Sequence, residues 1–471
     1  MASIIPDLLL CGTANCMGLI VRVLLRREWR FGILKAPHVK LGGKTFASAI
    51  STASFVLVLA GWATSACSQG TMAAQVGSGG TVLGPTFSDT GPDAASYGAA
   101  AGYSVGSRTT ASQPEHLVGV YSHFDELVPS RLIRRAATPW LFKRSPELQI
   151  EPVRPAIADY LKRNPVTGLL IAKDDTILYE HYQYARTDRD RFLSQSMAKT
   201  IVAMLIGIAV SDGKIKSIND TAAAYVPDLA GTEYGKTSIR NLLHMASGVA
   251  FSETYDGHDD IAQLDRDLFG EPGKDPTASV ARFNTRAAPA GTKWHYASIE
   301  AEILGLVLRH ATGEKVADYF HDRIWDAIGA EGDASWSIDG TGQEIAFCCF
   351  NATLRDYARL GRLLAHDGSW EGRQLIPRQW LLDATTVKPT DRFLAPGAAT
   401  PSLGYGYQVW ILPGAQRRFA LLGIQGQIIL VDPASKLVMV HTAVRQNPSD
   451  PASLTEPLAL WSAVLERLGN R

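Results

Sequence analysis

The segment TIVAMLIGIAV, residues 200–210, carries no charge and only one hydroxyl. A helix that is apolar on every side has to be enclosed by other elements, so this stretch predicts a fully buried helix inside a layered domain. Directly ahead stands SQSMAK, and one lysine, Lys199, heads the apolar run. Burying an ammonium is costly unless it is paired or put to use. Ser211, Asp212 and Gly213 mark the helix exit.

The patterns on either side define the fold class. GLLIAKDDTILYEHYQY, residues 168–184, reads as two strands turning at Asp174-Asp175. TSIRNLLHMASG (237–248), SIEAEILGLVLRHATG (298–313) and NATLRDYARLGRLLAHDG (351–368) read as helices. Gly248 stops the first; Ser298 caps and Gly313 closes the second. Residues 418–444, RFALLGIQGQIILVDPASKLVMVHTAV, give two strands around Asp432-Pro433-Ala434. Strand pairs thus flank a mostly helical middle. The expectation is an α+β fold with one antiparallel sheet built from both chain ends. Hydrophobic content of 46% supports a sizeable core, and 46 basic residues offset 46 acidic ones. That balance offers no basic face for nucleic acid.

The N-terminal part is organised differently. Residues 1–66 hold a basic region (Arg22, Arg26, Arg27, Arg30, Lys35, Lys40, Lys44) and then an uncharged apolar stretch from Phe46. This pattern fits a signal peptide or an uncleaved membrane anchor, and Cys67 after Thr64-Ser65-Ala66 resembles a lipidation box. The expectation is export to a periplasmic or membrane-attached location. Residues 67–116, rich in Gly, Ser and Ala, read as a flexible linker to a domain spanning 117–471. The GYSVG around Ser104 lacks the strand and helix that a nucleophile elbow needs. Cys348 and Cys349 are adjacent and would form only a strained ring, so no disulfide framework is implied. The 11 histidines show no metal-binding spacing, and no metal or cofactor is expected.

Ser196-Met197-Ala198-Lys199 is an SxxK motif, and Ser211-Asp212-Gly213-Lys214 is a second. The second contains glycine at a helix exit and reads as a solvated turn. In the first, i and i+3 share a helix face. Apolar surroundings lower the amine pKa so that Lys199 can accept a proton from Ser196, while first-turn N–H groups can hold an oxyanion. The plain alternative is that Ser196 caps the helix and Lys199 reaches solvent. Tyr296, in WHYAS, can relay the proton, its phenol pKa lowered by the ammonium; taken alone it reads as a half-buried aromatic. His295 beside it reads as a solvent-facing or core-satisfied residue. In Gly423-Ile424-Gln425-Gly426-Gln427, Gly426 would let substrate approach and the N–H of Gln427 would be an oxyanion donor. The alternative there is an edge bulge.

SMAK, YAS and GxxGQ in this order and spacing resemble the serine β-lactamase and penicillin-binding-protein superfamily, class C most of all. LLHMASGV, DYFHDRIWDAIGAEGDASW, NATLRDYARLGRLLAHDGSWEGRQLIPRQW and GYGYQVW resemble its 6-aminohexanoate-dimer hydrolase branch and related esterases. The resemblance spans roughly residues 117–465. It implies Ser196 as acyl-enzyme nucleophile, Lys199 as base partner, Tyr296 as proton shuttle, and the N–H groups of Ser196 and Gln427 as the oxyanion hole. It also implies Tyr255, Ser298, Gln425 and Gly426 as substrate contacts. The chain departs from penicillin-recognising members in carrying Ile424 where they place Lys or His, and Ser298 in place of an asparagine. A neutral ester or small amide is therefore expected over an anionic β-lactam. The alternatives are a β-lactamase or D,D-peptidase and, in a different class, an inert binding or sensor module on the same fold.

Overall fold

A computed structural model describes residues 82–270, 274–448 and 450–469. The basic and apolar N-terminal segment and Cys67 lie outside these. In chain order the main elements are β1 (Thr86–Phe87), α1 (Pro114–His123), α2 (Arg154–Arg163), β2 (Val166–Lys173), β3 (Thr176–Tyr182), α3 (Met197–Ser211), α4 (Asp260–Phe269) and α5 (Ser298–Thr312). They continue with α6 (Leu354–Ala365), β4 (Gly404–Tyr405), β5 (Trp410–Ile411), β6 (Phe419–Gly423), β7 (Gln427–Asp432), β8 (Leu437–Ala443) and α7 (Ala452–Leu468).

The sheet runs β1-β3-β2-β8-β7-β6-β5-β4, with the N-terminal hairpin seated directly on the C-terminal strands. β2 pairs antiparallel with β8, Leu170 opposite Val440 and Gly168 opposite Thr442. Both strands are covered on both faces, which explains their near-continuous apolar sequence. Alternate residues serve different layers. Leu169 and Ile171 join Ile157, Tyr160, Leu460 and Trp461 beneath α2 and α7. Leu170 and Ala172 join the larger core around α3, α5 and α6. The α+β fold expected from the sequence is the one observed.

Within that larger core α3 is buried from Met197 to Ala209. Two expectations change. The helix read over 237–248 is only Ile239–Leu243, because Met245 turns the chain out with φ 53°. Residues 82–116 do not behave as a free linker: β1 pairs with β3, and Tyr97 and Tyr103 pack edge-on against Tyr184 at 5.6 and 5.7 Å. Two aromatic anchors outweigh a Gly/Ser/Ala background, since each buries far more apolar area than its neighbours lack. Among the described residues no helix is long and apolar enough to cross a membrane.

Candidate active site

The chain enters α3 through Phe192–Leu193, paired antiparallel with Phe350–Ala352. The Ser194 N–H donates to the Phe350 carbonyl at 2.7 Å, and its hydroxyl accepts from the Phe350 N–H at 3.1 Å. Gln195 then adopts a left-handed backbone, φ 46°, which a non-glycine residue holds only when its surroundings impose it. Its amide donates to the Tyr121 hydroxyl at 2.8 Å. This turn delivers Ser196 to the head of α3, where its hydroxyl makes no capping bond.

Lys199 is 2% exposed. Its Nζ lies 2.7 Å from Ser196 Oγ and 2.9 Å from the Phe347 carbonyl oxygen. The capping serine and the solvent-reaching lysine are both ruled out by this geometry. Burial lowers the Lys199 pKa to about 8, against Glu253, Asp265 and Glu302, which raise it. Roughly one chain in ten then holds a neutral amine at pH 7. The second SxxK fares otherwise: Ser211 and Lys214 are both exposed.

Tyr296 sits beside this pair, its ring centroid 5.1 Å from Lys199 Nζ. Trp410 stacks on it at 5.6 Å. The expected lowering of its pKa is not found. Burial raises it, and the Glu253 charge raises it further, so the phenol keeps its proton. His295 is engaged elsewhere, Nε2 lying 2.6 Å from the Phe251 carbonyl.

Glu253 escaped the sequence reasoning. It accepts from the Tyr255 hydroxyl at 2.6 Å, the Ser298 N–H at 2.7 Å and the Ser298 hydroxyl at 2.7 Å. Ser298 is therefore not a cap for α5; Ala297 holds that position, and a carboxylate from a distant loop serves the helix N-terminus. Its only sequence signal was an acidic residue two positions before Tyr255.

The 423–427 segment corrects the sequence reading most. It is a hairpin turn inside the sheet, between β6 and β7, with Gln425 at φ 61° and Gly426 at φ 97°. Gly423 presses on the turn ahead of Ser196: a Cβ there would stand 2.5 Å from the Ser194 oxygen. Ile424 borders the cleft beside Ser196. Gln425, Gly426 and Gln427 do not. Gln427 is fully buried, its side chain donating to the Ala443 carbonyl at 2.7 Å. The side-chain direction at Gly426 is occupied by Ala443, whose methyl would stand 2.9 Å from a Cβ added at 426. His441 Nδ1 grips the Gly426 carbonyl at 2.8 Å from the sheet side. Because the glycine facing the site is Gly423, the residue two before it is Leu421, so this position also lacks a cation.

Two arms of the cleft meet at Ser196, Tyr255 and Ile424. The narrower, about 190 Å³, is lined by Glu253, Asp265, Ser298, Phe124 and Phe269, with Phe347, Cys348 and Cys349 as one wall. The wider, about 270 Å³, is mostly apolar, lined by Tyr296, Trp410, Leu422, Ile428 and Leu454 together with Asp450 and Ser453. Asp265, on α4, makes no hydrogen bond or ion pair among the described residues. Burial and the Glu253 charge raise its pKa to about 7. Cys348 and Cys349, whose adjacency argued against a bond, are joined as a disulfide. Among the described residues no group of three His, Cys, Asp or Glu side chains could hold a metal ion.

Residues 153–460 match the protein family described as Beta-lactamase. A 6-aminohexanoate-dimer hydrolase from Paenarthrobacter ureafaciens is 24% identical over 343 residues, 70% of this chain and 85% of that protein. The structure of a candidate 6-aminohexanoate-dimer hydrolase from Bacillus anthracis superposes with a TM-score of 0.63 at 24% identity, covering 75% of this chain and 95% of the other. A penicillin-binding protein homologue from Caulobacter crescentus gives 0.52 at 16% identity, covering 67% and 97%.

Proposed function

Because the chain belongs to the beta-lactamase family, we propose that it hydrolyses a carboxylic ester or small amide through an acyl-serine intermediate. The observation that carries this reading is Lys199 Nζ, buried, 2.7 Å from an uncapped Ser196 hydroxyl. Neutral Lys199 takes the Ser196 proton as Oγ adds to the substrate carbonyl. The resulting oxyanion is held by the N–H of Ser196, at the head of α3, and by the backbone at Ile424. As the tetrahedral species collapses, Tyr296 protonates the leaving oxygen or nitrogen and is refilled from the Lys199 ammonium. Water then repeats the addition on the acyl-enzyme and frees the acid.

The cleft suggests a substrate with a cationic end. Asp265 and Glu253 make the narrower arm acidic, while the wider arm suits a methylene chain. The Paenarthrobacter relative is named for a dimer of 6-aminohexanoate. An anionic β-lactam finds no lysine or histidine at Ile424 or Leu421. The test is hydrolysis of p-nitrophenyl esters and of a 6-aminohexanoate dimer, with nitrocefin alongside and Ser196→Ala as control. An acyl adduct on Ser196, seen by intact mass, is the expected intermediate. Ester turnover unchanged in Ser196→Ala would sink the proposal, and efficient nitrocefin turnover would move it to a β-lactamase.

A further inference from the structure

The wall that holds Lys199 is closed by a bond between neighbours. Phe347, whose carbonyl accepts from Lys199 Nζ at 2.9 Å, is followed at once by the Cys348–Cys349 disulfide. All three residues border the narrower arm of the cleft with Ser196. A disulfide between consecutive residues closes a small ring around their peptide bond, removing both side-chain rotors and restricting the backbone on either side. Cys349 shows the result, with φ 70° in the left-handed region that a β-substituted residue rarely adopts.

The surroundings fix this ring from outside as well. The Cys349 carbonyl accepts from the Ser337 N–H at 3.0 Å, and the Cys348 carbonyl from Trp336 Nε1 at 3.0 Å. On the other flank the Ala346 N–H donates to buried Glu302 at 2.8 Å. Phe347 therefore hangs between one anchored residue and one covalent ring. Its carbonyl is aimed at the lysine.

We propose that Cys348–Cys349 is a thiol–disulfide exchange site in the wall of the active-site cleft, and that a small dithiol entering the cleft switches the hydrolase down by opening it. The step is a two-electron exchange. One thiolate of the dithiol attacks a ring sulfur and expels the other as a thiolate. The second dithiol sulfur then displaces the first cysteine, leaving two cysteine thiols and a cyclic disulfide of the reagent. Two electrons and two protons pass to the protein. With the ring open, the 347–349 backbone relaxes from its left-handed conformation and the Phe347 carbonyl loses its fixed aim. Lys199 is then less well held against Ser196.

The effect on rate rests on the acyl-serine reading, whereas the exchange chemistry does not. The test treats the full chain with dithiothreitol, counts thiols per chain, traps them with iodoacetamide for mass mapping, and follows ester hydrolysis. The untreated protein is expected to show no reactive thiol at 348 or 349. After treatment both are labelled, and kcat/KM falls by about tenfold. Reoxidation should restore it. The double variant Cys348→Ser/Cys349→Ser should run at the reduced enzyme's rate and ignore dithiothreitol. Free thiols at 348 or 349 before treatment, failure of the dithiol to reduce the bond, or wild-type rates in the reduced enzyme or the double variant would each overturn the proposal. Hydrolysis that survives Ser196→Ala would instead remove the acyl-serine reading, with the thiol count still deciding whether the exchange site exists.

Discussion

The helix α3 carries the same SxxK spacing at each end, and the two ends differ in everything else. At the N-terminal end Ser196 and Lys199 are packed under Phe347 and Tyr296, with the positive end of the helix beside the hydroxyl. At the C-terminal end Ser211 and Lys214 are exposed, and Gly213 in the left-handed region takes the chain away. The helix dipole widens the gap: its positive end disfavours an ammonium and favours an oxyanion, while its negative end does the reverse. A motif becomes a site only through the terminus it occupies and the water it excludes.

That contrast can be broken outright by kinetics. Ser196→Ala and Lys199→Ala are each expected to lower ester kcat/KM by about a thousandfold or more, with Ser211→Ala and Lys214→Ala within about twofold of wild type. Comparable losses at both ends would end the distinction.

Stability gives the next largest difference. The folded Lys199 pKa of about 8 lies below its ordinary 10.5. The unfolded chain therefore binds more protons between these values, and stability rises with pH through that window. The cost at neutral pH is about 3 kcal/mol, so Lys199→Met should gain about 1–3 kcal/mol in urea denaturation at pH 7 and lose the rise between pH 8 and 10.5. Lys214→Met should stay within about 0.5 kcal/mol.

Two smaller effects sharpen the electrostatics of the buried end. Asp265→Asn should lower kcat/KM about tenfold for an amide with an ammonium end and leave a neutral ester within about twofold. In wild type the same preference should fade as pH falls through about 7, where Asp265 takes up its proton. Wild-type activity should climb with pH to a midpoint near 8, as Lys199 becomes neutral. Glu253 holds that midpoint up, so Glu253→Gln should move it down by less than about one unit; an upward move would contradict the charge arrangement.

The parts legible in the sequence were those fixed by local periodicity and short spacing. The paired apolar runs at 168–184 and 418–444, each broken by a turn signal, located the sheet's central strands, and the unbroken apolar run located α3 with Ser196 and Lys199 at its head. Long-range meetings were hidden. Nothing near Glu253 says that its carboxylate sits at the N-terminus of α5, since that contact bridges 45 positions. Gly426 and Gln427 matched a spacing, but two left-handed residues turn the chain so that Gly423 and Ile424 face the cleft instead. The Tyr296 pKa went the other way because desolvation outweighed a nearby cation, a balance that burial alone reveals. Composition misjudged residues 82–116 by averaging over Tyr97 and Tyr103.

The pairing of β2 with β8 also sets the order in which this protein can be made. Thr442 meets Gly168 across 274 positions of chain. A ribosome releasing the polypeptide from its N-terminus therefore exposes β2, β3 and α3 long before their covering strand exists. Loop-closure entropy makes such a late, distant pairing slow, and the half-made sheet offers an open apolar edge meanwhile. The turn ahead of Ser196 packs against β6, so the site cannot be assembled until β6 has been made. Truncations that remove β8 should yield aggregation-prone chains rather than a smaller working enzyme.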